Sequence, residues 1–462
     1  MRTPQLSWIV LAMLAAACDA PSAPADADVR RDGSTAEAGA RDASGARDAD
    51  GESDAGGDAG SAPPVTGCAP LPPVPHDAIV VTPDRAGELA QIVRDAPAGA
   101  TIALADGIDA TSASGEANRR LVFRRPGVTL RSVSGDASRV ILDGEYVTNE
   151  LLYVAASDVT IAQVTLLRAV HHLAHVTSES AAPVTGVRFT GVRFVDSGEQ
   201  QLKINPGTSD GWIDEGTIEC SSFTLTDEGR PHVSRTGGGC YTGGIDAHAA
   251  RGWIVRHNTF TGIYCAGEGL AEHAIHFWRS SRDTLVENNL VVDCARGIGF
   301  GLDDAMERRA YPDDPYPGVR PIAHFDGVIR NNVIFARIPY YDTGIELHYA
   351  RGARVIHNTV VSTEEATGFF SSIDYRFPTT EVLLANNLTR RITERDGGNA
   401  TRMANLENAP LDLFVDALGL DFHLAEGAAA AIDRGVVLDD AGLDMDGEPR
   451  DDGAPDLGAD ER

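Results

Sequence analysis

One short motif constrains this chain more than any other feature: an apolar residue, two variable positions, an asparagine and a further apolar stretch. It reads Val255-Arg256-His257-Asn258-Thr259-Phe260 and then Val286-Glu287-Asn288-Asn289-Leu290-Val291. It returns as Ile329-Arg330-Asn331-Asn332-Val333-Ile334, Ile356-His357-Asn358-Thr359-Val360 and Leu384-Ala385-Asn386-Asn387-Leu388. Asn258, Asn289, Asn332, Asn358 and Asn387 then share one equivalent turn position. In stacked coils they would lie above one another, each side-chain carbonyl satisfying a turn amide. We read them as structural.

A second pattern alternates with the first: short strands with apolar residues two apart. Its members are Leu202-Lys203-Ile204-Asn205, Ile245-Asp246-Ala247-His248, Ile275-His276-Phe277-Trp278, Ile298-Gly299-Phe300-Gly301, Ile345-Glu346-Leu347-His348 and Ile373-Asp374-Tyr375-Arg376. Period-two alternation turns the first and third residue of each inward and the second and fourth outward. Repeats of this length, built of short strands with no long helical period, indicate a β-solenoid. The expected fold is all-β, a single-stranded right-handed parallel β-helix over residues 76–462. Solenoids need capped ends. Leu89, Ile92 and Val93 give Asp84 to Asp95 a helical spacing, which places an N-terminal helical cap within 76–107; residues 405–462 form a C-terminal tail.

Upstream, Arg2 precedes an apolar run from Leu6 to Ala17 that is too short to span a bilayer, followed by Cys18. Residues 1–18 read as a signal peptide. Leu14-Ala15-Ala16-Ala17-Cys18 resembles a bacterial lipoprotein box with Cys18 lipidated, although Ala15 replaces the usual leucine; ordinary secretion is the alternative. Residues 19–75 are dominated by Ala, Asp, Gly, Ser and Pro, a composition that cannot build a core and reads as a disordered spacer. The expected place is outside the cytoplasm, as a membrane-anchored lipoprotein at the cell surface or as a secreted monomer. An exported chain tolerates disulfides; Cys220–Cys240 and Cys265–Cys294 are plausible pairs, with connectivity open and one of the five remaining cysteines left over. The net charge of −29 sets nucleic acid aside as a partner.

Glu88-Leu89, Ala96-Pro97-Ala98-Gly99-Ala100-Thr101-Ile102 and Asp106-Gly107 resemble the capping segment of the pectate-lyase-like superfamily, including chondroitinase-B-like and alginate lyases. Phe422-His423-Leu424, Ala431-Ile432-Asp433 and Asp456-Leu457-Gly458-Ala459 resemble the C-terminal end of secreted bacterial β-helix proteins. The resemblance implies the fold and suggests a polysaccharide lyase. Signatures of polygalacturonases and pectin methylesterases do not occur. Lys203 is a candidate for one member of the lysine–arginine pair of chondroitinase-B-like lyases, with no arginine assigned.

Aligned strands about 4.8 Å apart build two outward columns. One runs Lys203, Asp246, His276, Gly299, Glu346, Asp374; the other runs Asn205, His248, Trp278, Gly301, His348, Arg376, and His175 could extend them. Lys203 is the only lysine in the chain. The expectation is an exposed groove in which Gly299 and Gly301 open a notch and a sugar ring sits beside Trp278. Lys203, Asp246 and His276 are the expected catalytic set; His248, Trp278, Glu346, His348, Asp374 and Arg376 would bind substrate. Elimination on a uronate needs a neutralised carboxylate, proton removal and a protonated leaving oxygen. Lys203 suits the first role, His276 the proton transfer, and Asp246 would orient His276. The acidic net charge opposes a polyanionic substrate at long range, so calcium is a candidate cofactor. No metal ligand set is assigned, and Asp246, His248 and His276 form only a minor alternative for a transition metal. Two further readings share the groove: a glycoside hydrolase using Glu346 and Asp374 about 5 Å apart, and a non-catalytic glycan-binding or adhesive surface protein.

Overall fold

The computed structural model describes residues 68, 70–110, 120–208, 210–236, 239–267, 269–302 and 307–462. The signal segment, Cys18 and the spacer up to residue 67 lie outside the described residues. Pro83–Glu88 forms a 3-10 turn that leads into the α-helix Leu89–Asp95, whose Leu89 and Val93 are buried. Ile79–Val81 pairs in parallel with Thr101–Leu104, and coils then stack from that edge. Among the described residues no helix is long and apolar enough to cross a membrane.

Three long sheets of parallel strands form a right-handed parallel β-helix. One coil shows the construction. Ile254–Arg256 lies in the first sheet; His257 follows in the left-handed region at φ 53°; Thr259–Thr261 lies in the second sheet and His273–Trp278 in the third. The same left-handed step recurs at Asn288, Asn331, His357 and Asn386, immediately before each repeated asparagine. It turns the chain sharply, and the asparagine next in line closes the corner. Asn258 Nδ2 donates to Asn289 Oδ1 at 3.0 Å, Asn289 to Asn332 at 2.9 Å, and both Asn332 to Asn358 and Asn358 to Asn387 at 3.0 Å. The series continues one rung further, to Asn405 at 2.8 Å. Each Oδ1 also accepts the backbone N–H of the asparagine before it, so the buried corner amides are satisfied along the stack. Inside, like side chains stack: Phe194, Phe223 and Phe260 lie nearly parallel, with centroids 4.4 and 4.6 Å apart.

The C-terminal segment covers the outer face of the second sheet. Ile334 and Val360 point into the coil, whereas Val333, Phe335 and Val361 point out and pack with Leu413, Phe414, Phe422, Leu424 and Leu457. Buried Arg450 pins the tail, pairing with Glu461 at 2.6 Å and donating to Asn331 Oδ1 at 3.1 Å.

The disulfides differ from both expected pairs. Cys68 joins Cys220, Cys240 joins Cys265, and Cys294 is a buried free thiol. The Cys220–Cys240 and Cys265–Cys294 pairings fail because partners are set by which coil corners adjoin, not by nearness in sequence. The long steps between aligned strands are insertions at the corners of single coils. Residues 307–322 run along the C-terminal edge of the third sheet: Arg309 pairs with Asp214 at 2.7 Å and the Tyr311 hydroxyl donates to the Ser280 carbonyl at 2.7 Å.

Candidate functional site

The third sheet carries the residues singled out above, and its register places them in the two columns. Lys203 is paired with Asp246, Asp246 with His276, His276 with Gly299, Gly299 with Glu346 and Glu346 with Asp374. His248 is beside Trp278, and His348 beside Arg376. His175 lies next to Lys203 and bonds Asn205 at 2.7 Å. The long insertion after Lys203 therefore adds no coil between it and Asp246.

Exposure departs from expectation. Lys203, Asp246, His248, His276, Trp278, Glu346, His348 and Asp374 are all buried, Asp374 completely. The columns are not an open groove. They form a buried polar layer on the sheet, and most of its members are bonded to one another. Lys203 Nζ forms an ion pair with Asp246 Oδ2, and His248 Nε2 lies 3.3 Å from the same ammonium. Trp278 Nε1 donates to Asp246 Oδ1 at 2.7 Å. His348 Nε2 meets Asp374 at 2.9 Å, and Arg395 grips the same carboxylate at 2.9 and 2.5 Å. Arg376 turns away to Asp396.

Four assigned roles need correction. The Trp278 indole is not a free platform for a sugar. His276 stacks against it at 5.2 Å, His248 meets it edge-on at 4.8 Å, and the Arg279 guanidinium lies 4.4 Å from its centroid. Gly299 opens no notch, because the His273 ring fills the space; a Cβ on Gly299 would sit 2.7 Å from His273 Nε2. Gly301 is required by its backbone, with φ 81° and the His348 carbonyl where a Cβ would go. His276, finally, is no proton carrier near neutrality. Burial, reinforced by His273, pushes its pKa well below the usual imidazole range. Asp246 does not orient it either, since Oδ1 is 3.9 Å from His276 Nδ1 and is already bonded to Trp278.

The electrostatics favour a fixed cation at Lys203. Burial alone would lower its pKa, but Asp246 outweighs burial and the net shift is upward. Burial would raise the Asp246 carboxyl, yet Lys203 and His248 hold it well below the carboxylate range. His248 is pushed down to about 4 by burial and by the Lys203 charge, so it stays neutral. Lys203 would also repel a metal ion from the Asp246, His248 and His276 set. Tyr241, on the edge of this cluster, has its hydroxyl pKa raised, chiefly by burial. Glu346 and Asp374 do bring carboxylate oxygens within 4.8 Å of each other, but the complete burial of Asp374 takes it out of reach of a glycoside.

Sequence reasoning missed Glu272, His273, Arg296 and Arg395. His273 Nε2 donates to Glu346 at 2.7 Å, and Arg296 lies 3.9 Å from the same carboxylate. Alternation assigns His273 inward with Ile275. It is the first residue of its strand, however, and its ring lies over outward-facing Gly299. Glu272 is the most open acid of the layer, with 28 % of its side chain exposed.

No family model matches the chain, and no curated protein matches it. Among solved structures, the pectate lyase Pel9A is similar over 81 % of this chain and 90 % of its own, with a TM-score of 0.51 and 15 % identity. An alginate lyase from Paenibacillus sp. str. FPU-7 covers 71 % of this chain and 99 % of its own, with a TM-score of 0.36 and 13 % identity. PfbA, a surface adhesin of Streptococcus pneumoniae, covers 70 % of this chain and 86 % of its own, at 0.31 and 12 %. At these identities the likeness to Pel9A shows the fold alone, a parallel β-helix.

Proposed function

We propose that this is a carbohydrate-active protein, a polysaccharide lyase that works on a uronate-containing glycan outside the cytoplasm, held there by a lipid on Cys18. The observation that carries the reading is the Lys203–Asp246 pair: the only lysine of an acidic chain, kept charged on the strand face where titratable groups gather. A fixed ammonium suits the neutralisation of a uronate carboxylate, the first requirement of elimination. The pectate lyase fold supports the substrate class.

The test is incubation of the full chain with a panel of uronate polysaccharides. Unsaturated products absorbing in the ultraviolet are expected, and Lys203→Ala should abolish them with circular dichroism unchanged. New reducing ends without that absorbance would sink the lyase reading in favour of hydrolysis. Binding without products would support a second reading, a glycan-binding surface protein. That reading is favoured by the saturation of Asp246, Trp278 and Asp374 with internal partners. For the anchor, Cys18→Ser should release the protein from the membrane fraction; unchanged partitioning would count against lipidation.

A further inference from the structure

Beside the Lys203 pair lies a second group of residues with a different chemistry. Glu272, His273 and His276 each present a ligand atom, and these atoms lie within 4.8 Å of one another. His276 Nδ1 is 3.9 Å from Glu272 Oε2. Ligands bound to a zinc ion at 2.0–2.1 Å in a tetrahedron stand about 3.3 Å apart, so small side-chain rotations close the gap.

The hydrogen bonds behind the rings point the same way. His273 Nε2 is held by Glu346 at 2.7 Å, and His276 Nε2 by the Gly301 carbonyl at 2.9 Å. A ring that donates from Nε2 keeps a lone pair on Nδ1. A carboxylate or carbonyl behind each imidazole is how proteins fix the tautomer and raise the basicity of a metal-binding histidine. His273 Nδ1 is fully buried and has no hydrogen-bond partner, an uncompensated loss unless something else takes its lone pair. The carboxyls Asp246, Glu272, Asp342 and Glu346 and the cations Lys203, Arg279, Arg296 and Arg395 gather around the two rings. Glu272, partly exposed, leaves a side from which an ion and a further ligand can enter.

We propose that Glu272, His273 and His276 bind a divalent transition metal ion of the zinc class through one carboxylate oxygen and the two Nδ1 atoms, with Glu346 and Gly301 positioning the rings. Two nitrogens and one oxygen are the donor set of a site that keeps a fourth position for water or substrate, whereas calcium takes oxygen ligands. The proposal does not rest on the lyase reading: it stands or falls on metal binding, whatever the polysaccharide panel shows.

The test is titration of the chelator-treated full chain with Co2+ alone, followed by visible absorption, and with Zn2+ alone, followed by calorimetry and thermal unfolding. One equivalent should bind, with the intense visible bands of four-coordinate cobalt and a rise in Tm that grows with Zn2+ concentration. His276→Gln should abolish the bands. Glu346→Gln, which leaves all three ligands in place, should weaken binding about 10- to 100-fold. Glu272→Gln, at the open edge where folding is least at risk, should also weaken binding at least about tenfold by removing a ligand. His423→Gln should leave the cobalt bands and the one-equivalent stoichiometry unchanged; it controls for the separate His423, Asp446 and Asp460 group near the C-terminus. No binding by the wild-type chain would overturn the proposal, as would wild-type binding retained in both His276→Gln and Glu272→Gln.

Discussion

The outer faces of the second and third sheets are both covered, by opposite means. On the second sheet, Val333, Phe335, Val361 and Leu388 meet Phe414, Phe422 and Leu424 of the C-terminal tail in an apolar seam. On the third, Lys203, Asp246, His248, His276, Glu346 and Asp374 are buried to the same degree although all are polar, and Lys203, Asp246 and Glu346 keep their charges. The seam needs only shape and hydrophobic area. The polar layer needs every charge matched, and one partner removed leaves the other stranded. One face is built for adhesion between parts of the chain. The other holds charges where packing alone would not put them, as sites that do chemistry commonly do.

The sharpest way to break the comparison is Asp246→Ala. It strands the Lys203 ammonium in a buried position and should destabilise the protein by about 3–5 kcal/mol, read from the denaturant midpoint. The double replacement Lys203→Met with Asp246→Leu should recover most of that loss and none of the proposed lyase activity. If the single variant is as stable as wild type, the layer is wetter than its burial indicates.

On the apolar side, Phe422→Ala removes the ring packed against Phe335 at 5.2 Å and Phe414 at 5.4 Å. A loss of about 3 kcal/mol is expected, with the proposed lyase activity unchanged once folding is secured. A loss of activity at full stability would mean that the tail reaches the third sheet. Between the two faces stands the ladder. Asn332→Ala orphans the buried N–H of Asn289 and should lower stability by about 1–3 kcal/mol.

The smallest effect concerns pH. Burial would lower the His423 pKa, but Asp421 and Asp446 outweigh it and raise it to about 8. The folded value exceeds the unfolded one, so the added stability is complete below pH ~6.5 and lost as the pH rises through about 8. His423→Gln should flatten the stability profile in that window. The shift should be slight, because half of the His423 side chain is exposed.

The asparagine repeat and the alternating strands made the coil legible from sequence, because both are local patterns with one geometric solution. Register survived insertions of about twenty residues, so Lys203, Asp246 and His276 could be lined up without a structure. Depth was not legible. Alternation says that Trp278 points away from the core, but not that His276 and Arg279 will cover its faces. Gly299 read as a gap because the filler, His273, sits at a strand start where alternation fails. The disulfides escaped for a related reason: Cys68 and Cys220 are 152 residues apart and meet only through the stacking of coils.

That bond also decides how the molecule would bear a mechanical load. Tension on the chain upstream of Cys68 enters the solenoid directly at Cys220, through a covalent link, rather than at the cap helix and the first strand. The cap and the opening coils then lie on a slack branch of the force path. A pull that would otherwise peel the helix open from its end, one coil at a time, is delivered instead to a corner between coils that are stacked on both sides.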